Sequence, residues 1–491
     1  MSLGRALYYL LWRKKYVFLL LLTGCATATL VMQLSSTTPS KTDILRHDHY
    51  NLHPPKGVGY SAWWEELPNG THKTRMSVRH KLFYNPHKPP SLFKEWQENV
   101  KTSCTGHLVA YAHEFVHFQY IVLDRKYLEG REGGEQIKEV INQSEQVEYH
   151  RCSYGCFLLA CVSRPEYYFN NDNHLVSWYE GLRTTKRLPR KVNKTCKQFT
   201  IMIVRYEYAN IYHTLTDFYN AFLLMNFFNR TQRDTNILIV DGHPRGQLDP
   251  IWDMLFNSSV RISSLPRRTL FTNAVWGMLG YNSPILLHDL EEIPLIEEFR
   301  EFFLSSYNMA DNHRLDCKHL SVLFIWRHDY LAHPRNPKGV VSRKIANERE
   351  LLNFTKTTYP NFSVRGVQID QFEFKHQLQL VTDTDILIGM HGAGLTHTVF
   401  LPKHATLIEL IPMYWIYTAH GHFQAFAKWR HLRYISWENG IDANEVEEKY
   451  TNIPTGVLHG LIEKAITQMC RTQIHSTPAE VASKTSYVPR S

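Results

Sequence analysis

The chain has 491 residues, 43% hydrophobic, 13% aromatic and 21% charged. That composition excludes a disordered or low-complexity protein and leaves room for two or three domains. The formal net charge of +9 is a mild excess for this length, so short basic runs such as 186–191 read as solvated surface loops, and no nucleic-acid partner is expected.

The first feature along the chain is a membrane signal. Arg13, Lys14 and Lys15 close a short tail (1–15) and precede an uncharged run from Tyr16 to Leu34. About 19 residues can cross a hydrocarbon core of about 30 Å. Basic residues before the span put the tail in the cytoplasm and the remainder on the lumenal or extracellular side. A cleaved signal peptide is the alternative, with Ala26 and Ala28 near its cleavage point. Seven N-x-S/T sequons (Asn69, Asn142, Asn193, Asn229, Asn257, Asn353, Asn361) agree with that side of the membrane. Seven cysteines follow the span, at 104, 152, 156, 161, 196, 317 and 470. Disulfides are expected there, although the 152, 156, 161 group also has the residue type of metal ligands, and an odd number leaves at least one unpaired within the chain.

Residues 35–56 form a polar stem rich in Ser, Thr, His and Pro, and the globular body starts near Gly57, with Trp63, Trp64 and Trp96 as packing anchors. His113-Glu114-Phe115-Val116-His117 matches the zinc motif HExxH, which needs both imidazoles on one helical face. The run Leu108–Leu123 is instead strand-like, rich in Val, Tyr, Phe and Ile. On a strand, residues four apart lie about 13 Å apart and cannot share one zinc ion.

From Thr200 the pattern alternates. Thr200–Glu207 reads as a strand, Asn210–Phe228 as a helix, Asn236–Asp241 as a strand, Gln247–Phe256 as a short helix, and Val260–Ser263 and Thr269–Trp276 as strands. Such alternation predicts a parallel wound sheet, here in an N-terminal, acceptor-side domain spanning 57–312. On the 210–228 helix, His213, Asp217 and Asn220 form a polar row at i, i+4, i+7.

A polar lapse at Ala310–Cys317 marks the junction. A second α/β domain (313–440) follows, with strands at Leu320–Trp326, Phe362–Ile369, Asp385–Met390, Thr406–Ile411 and Leu432–Ser436. Its helices are Asn347–Thr357, Phe374–Thr382 and Ala419–Trp429. A closing helix is placed in 441–470, starting at Glu445, and a disordered tail at 471–491.

In doubly wound sheets ligands gather at the carboxyl ends of the strands. One such end carries His391-Gly392-Ala393-Gly394-Leu395-Thr396, a glycine turn opening into a helix. Glycine permits close backbone approach, and the first helical N–H groups favour an anion. Arg327 lies at another strand end, and Arg343 and Asn347 fall at i, i+4 before a helix, with a salt bridge between Arg343 and Glu348 as the structural alternative. Asp383-Thr384-Asp385 has an Asp-x-Asp form but precedes its strand, so it reads as a turn, and no metal or other cofactor is expected.

Five stretches in order carry a family resemblance: 205–210 (RYEYAN), 213–217 (HTLTD), 240–243 (VDGH), 327–335 (RHDYLAHPR) and the HGAGLTH turn. Between about Thr200 and Ser436 the chain resembles glycosyltransferase family 61, in its plant-type N-glycan β-1,2-xylosyltransferase branch. The resemblance implies a GT-B-like fold of two Rossmann-like domains, an inverting mechanism, UDP-xylose as donor and the core β-mannose of an N-glycan on a glycoprotein as acceptor. Other members use UDP-N-acetylglucosamine on protein-linked acceptors. With a single N-terminal anchor, the implied location is the Golgi membrane, type II, with a lumenal catalytic body. Inversion requires a base, for which Asp217 and His213 are the candidates, and a fixed field for the departing diphosphate, assigned to residues 391–396 with Arg327, Arg343 and Asn347.

A hydrolase using HGAG as an oxyanion loop would need a G-x-S-x-G elbow, which the sequence lacks. A non-catalytic glycan-binding protein of the same fold remains the other reading.

Overall fold

The computed structural model describes residue 83 and residues 90–166, 175–205, 207–278, 280, 283–418, 421–447 and 449–474. The expected span at 16–34, the stem, Asn69 and the tail beyond 474 lie outside the described residues. Among the described residues no helix is long and apolar enough to cross a membrane.

The first half is built on a ten-stranded sheet. In chain order its strands are β1 (Val100–Ser103), β2 (Leu108–Tyr111), β3 (Phe115–Asp124), β4 (Phe157–Ala160), β5 (Leu182–Thr185), β6 (Lys194–Cys196), β7 (Phe199–Ile203), β8 (Thr235–Ile239), β9 (Ser258–Arg261) and β10 (Arg268–Trp276). The main path runs β1-β2-β3-β10-β7-β8-β9. From β10 to β9 neighbours are parallel, but β1, β2 and β3 join antiparallel. The strands expected from Thr200 onward do form a parallel series, and earlier strands extend it into a mixed sheet. Its antiparallel part comes from residues before Thr200, whose pairing is set by distant contacts and not by local period.

The HExxH residues are indeed extended, but as a hairpin whose turn holds His113. His117 lies inside β3, where its Nε2 meets Oδ1 of Asn273 at 2.8 Å.

Helices α1 (Ser91–Glu98), α2 (Val176–Gly181), α3 (Ile211–Phe227), α4 (Asp249–Leu255) and α5 (Ile296–Ser306) cover the sheet. Asn210 caps α3 by accepting the Tyr212 N–H at 3.0 Å. Nearly all of α3 is buried, which explains its scarcity of charge.

The second half is a five-stranded, all-parallel sheet: β11 (Ser321–Ile325), β12 (Ser363–Val367), β13 (Ile386–Met390), β14 (Thr406–Ile411) and β15 (Arg433–Glu438), in the order β12-β11-β13-β14-β15. Strands buried on both faces read as continuous apolar runs, as β13 and β14 do. Helices α6 (Glu348–Thr358), α7 (Phe374–Thr382), α8 (His422–Trp429) and α9 (Thr455–Ile474) pack around it. The closing helix thus begins at Thr455, not Glu445, because 445–447 and 450–451 form short strands first. The helix after the glycine turn is a 3₁₀ helix, Ala393–Phe400.

One apolar core joins the two halves. It contains Phe218 and Phe222 of α3, Phe299 and Phe303 of α5, Leu387 of β13 and Phe400 of the 3₁₀ helix. Phe303 meets Phe374 at 5.9 Å and Phe400 at 5.0 Å between ring centroids. Two further clusters fill the outer faces of the two sheets.

Disulfides join Cys104 to Cys161, Cys152 to Cys156 and Cys317 to Cys470, and Cys196 is free and buried. The 152, 156, 161 group is therefore oxidised and binds no metal through its thiolates.

Candidate active site

Segments that follow parallel strands in both halves meet, and the quoted motifs supply them. In the first half Arg205 lies two residues past β7 and Asp241 two past β8. Arg205 donates from Nε to Asp241 Oδ2 at 2.9 Å, from Nη2 to Oδ1 at 2.6 Å, and from Nη1 to Asp249 Oδ1 at 2.6 Å. Arg261 closes the group on Asp249 at 2.6 Å. Burial works against the Asp241 charge, yet Arg205, His243 and Arg261 hold its carboxyl well below the usual range. A buried charge needs such partners. This network fixes the loop that presents Glu207.

Glu207 was not among the sequence candidates. Its Oε1 accepts the N–H groups of Tyr208 at 2.6 Å and Ala209 at 3.2 Å. Its Oε2 lies 3.5 Å from both His333 Nε2 and Arg335 Nη2 of the second half. Burial disfavours its charge, but His333, Arg335 and those amides keep the carboxyl below the ordinary value. The RHDYLAHPR stretch is thus a strap between the halves: Asn142 N–H also donates to Pro334 O at 2.9 Å, and His333 sits 5.2 Å from the Tyr208 ring.

On α3, His213 keeps part of its surface exposed, whereas Asp217 and Asn220 are buried. Burial pushes the His213 pKa down to about 4, against the pull of Glu207. The ring is therefore neutral near pH 7 and can accept a proton. Asp217 lies within the field of Arg205, where its charge favours the guanidinium.

The glycine turn is the second wall. His391 N–H continues the sheet to Leu410 O at 2.8 Å, and its Nδ1 meets Glu409 Oε1 at 2.5 Å. Tyr434 donates its hydroxyl to Glu409 Oε2 at 2.7 Å. Burial lowers the His391 pKa, with Glu409 opposing. The Arg327 guanidinium packs against Gly392 so closely that any side chain there would have to displace it. Arg327 Nε donates to Ser342 O at 3.1 Å. Arg343 Nε donates to His391 O at 3.0 Å, and its guanidinium carbon sits 3.9 Å from the Trp415 ring centre. Arg343 has φ of 60°, a strained conformation for a long side chain. Two guanidinium groups thus flank the turn, with Ala393 and Gly394 partly exposed between them.

The remaining candidates sit differently. Leu395 N–H donates to Gly392 O at 2.9 Å, so it turns inward, and the Leu395 and Thr396 side chains are buried. Asn347 is a clasp: Nδ2 donates to Ile453 O at 2.9 Å and to Glu350 Oε2 at 2.9 Å, while Oδ1 accepts Ile453 N–H at 3.0 Å. The alternative salt bridge between Arg343 and Glu348 is replaced by a His328–Glu348 contact at 2.8 Å. Asp385 does not stand in a plain turn; it binds His313 and His404.

A mixed α/β body with an arginine-flanked glycine turn at the carboxyl end of a parallel sheet fits a glycosyltransferase. A model of the family Glycosyltransferase 61 matches residues 195–408. A β-1,2-xylosyltransferase of Arabidopsis thaliana is 30% identical over 396 residues, covering 65% of this chain and 73% of that protein. The β-1,2-xylosyltransferase RCN11 of Oryza sativa is 26% identical over 344 residues, covering 62% of this chain and 63% of that protein. An EGF domain-specific O-linked N-acetylglucosamine transferase of Drosophila melanogaster is 31% identical over 290 residues, covering 54% of this chain and 51% of that one. The chain belongs to glycosyltransferase family 61.

Proposed function

We propose that the chain is an inverting glycosyltransferase that moves xylose from UDP-xylose to the core β-mannose of N-glycans in β-1,2 linkage. Its architecture is GT-B-like, with a nucleotide-sugar half after the junction and an acceptor half before it. It works as a single-pass type II protein of the Golgi membrane, anchored through residues 16–34, with its catalytic body in the lumen. The observation that carries the donor half is the pair of arginines, Arg327 and Arg343, held against the His391–Gly392 backbone. Fixed cations and helix-leading amides together suit a diphosphate that gains charge as it leaves.

In the transfer step the acceptor hydroxyl attacks the anomeric carbon, the bond from that carbon to the UDP oxygen breaks, and the hydroxyl proton passes to a base. His213, neutral and partly exposed, is the candidate for taking that proton, with the buried Asp217 one turn along as the other. The diphosphate charge is met by Arg327, Arg343 and the amides of residues 392–394. No metal takes part in this step, so activity persists in excess EDTA.

The donor sugar rests on the names of the xylosyltransferase relatives. The second reading is transfer of N-acetylglucosamine to a protein-linked acceptor, favoured by the relatives that act on EGF domains. A radiolabelled panel of UDP-xylose and UDP-N-acetylglucosamine, against a core N-glycan and a folded EGF domain, separates the two. Transfer of xylose to the glycan is expected. UDP binding with no transfer from either donor would leave a non-catalytic glycan-binding protein.

A further inference from the structure

Away from the cleft, at the amino edge of the second sheet, three side chains from distant segments converge. Asp385 Oδ1 lies 2.8 Å from His313 Nε2 and 2.7 Å from His404 Nε2. Asp385 is 1% exposed, and each histidine is half-buried. Its other oxygen accepts the Ser321 N–H at 2.7 Å, which fixes the carboxylate plane. The two rings lean together, 5.3 Å between centroids. Among the described residues this is the one group of three such side chains whose ligand atoms lie within 4.8 Å of one another.

We propose that His313, Asp385 and His404 form a binding site for a divalent transition-metal ion of the zinc class. Two imidazole nitrogens with one carboxylate oxygen are a zinc-type donor set, whereas magnesium and calcium prefer oxygen alone. Around a tetrahedral zinc with bonds of about 2.0–2.2 Å, ligand atoms stand roughly 3.3 Å apart. The two spacings to Asp385 need to open by only about half an ångström, which small rotations of two partly exposed rings supply. Each neutral ring then keeps its proton on Nδ1 and turns a lone pair on Nε2 to the ion. The exposed side of the rings leaves the fourth position to water. The Ser321 amide supplies the outer hydrogen bond that orients the carboxylate.

The site is structural and not catalytic. Asp385 precedes β13 and His391 follows it, so the strand separates them by about 20 Å. An ion there ties the junction segment before β11, through His313, to the starts of β13 and β14. Occupancy therefore raises stability without entering the transfer step.

The test uses the 491-residue chain, purified without a histidine tag, stripped with chelator, then titrated with Zn²⁺ or Co²⁺. The expected result is one equivalent of Zn²⁺ bound by calorimetry, a melting temperature raised by several degrees, and visible Co²⁺ bands of tetrahedral intensity. His313→Ala and His404→Ala, both at partly exposed positions, each lose the Co²⁺ bands and the thermal shift while keeping glycosyl transfer at 25 °C. Failure of the stripped chain to bind Zn²⁺, or binding that both variants retain, overturns the proposal. Loss of transfer alone on chelation, with no change in melting temperature, also overturns it, since the ion would then sit in the cleft.

Discussion

A Cβ placed on Gly392 would lie 1.8 Å from Nη1 of Arg327. The glycine is thus what lets a guanidinium rest on the backbone where a diphosphate is proposed to sit. Gly392→Ala must push Arg327 away and lose charge-assisted hydrogen bonds of about 1.5–3 kcal/mol, or roughly 10–150-fold in affinity. Calorimetry with UDP should read that weakening while the far-ultraviolet circular dichroism stays unchanged. Unaltered UDP affinity would remove Arg327 from the donor site.

The two base candidates separate by what they touch. His213→Ala should lower kcat by about 10²–10⁴-fold, the range for a positioned acid or base, and leave UDP affinity intact. Asp217→Asn should lower transfer less, and also without weakening UDP, because Asp217 acts from inside the fold. The reverse order of effects in steady-state kinetics would make Asp217 the base.

Glu409 is a positioning residue for His391. Glu409→Gln replaces a short contact to an acceptor carboxylate by a neutral one and frees Tyr434 to turn. The donor KM should rise by roughly tenfold with kcat little changed, a loss near 1.5 kcal/mol, within the range for a hydrogen bond to a charged group. A pure kcat effect, or none, would count against this role.

Acid should destabilise the body well before its carboxylates titrate. Burial lowers His150, His213 and His397 each to about 4 from an ordinary 6.5. Between those values the unfolded chain binds more protons than the folded one, so stability is complete above about pH 6.5 and falls as pH drops towards 4. The slope is roughly 1.4 kcal/mol per pH unit for each such group. His243, whose pKa is raised by Asp241 and Glu148 despite burial, adds stability that is already full below 6.5 and does not oppose this trend. Urea midpoints between pH 7 and 4.5 should fall steadily, and a flat profile would contradict it.

The second half was the more legible in sequence because its signals are local. Phe374–Thr382 and Thr406–Ile411 have the expected bounds, and the strand after Asp385 differs by one residue. Its sheet is all parallel, so its inner strands β11, β13 and β14 read as apolar runs. The first half depends on pairings between distant segments. Nothing near Leu108 announces that β3 will lie antiparallel to β10, and the turn at Ala112–Glu114 has no glycine, proline or asparagine to mark it. Glu445 and Val446 fit a helix as well as the short strand they form, so local pattern alone starts the closing helix too early.

For the candidate site, strand ends point to His391, Gly392 and Arg327, and the structure brings these together with Arg343, which the sequence places before a helix. Glu207 was missed because its importance lies in partners, His333 and Arg335, that sit more than a hundred residues away. The EYAN and HPR stretches were visible as motifs, but their meeting was not. Asn347 was misleading for the opposite reason. A polar residue at a helix start suits a ligand or a backbone clasp equally, and the Ile453 backbone occupies it.

The core shared by the halves has a consequence for how the protein can be cut or recombined. Phe303 of the first half packs on Phe374 and Phe400 of the second, and Arg300 donates to Phe400 O at 3.0 Å. Trp429 likewise donates to Leu290 O at 2.9 Å. The seam is therefore interior, not surface. A hybrid that takes its donor half from one relative and its acceptor half from another must carry matched residues on both sides of that seam, so new sugar specificity is better sought by exchanging the loops at the strand ends than by exchanging halves.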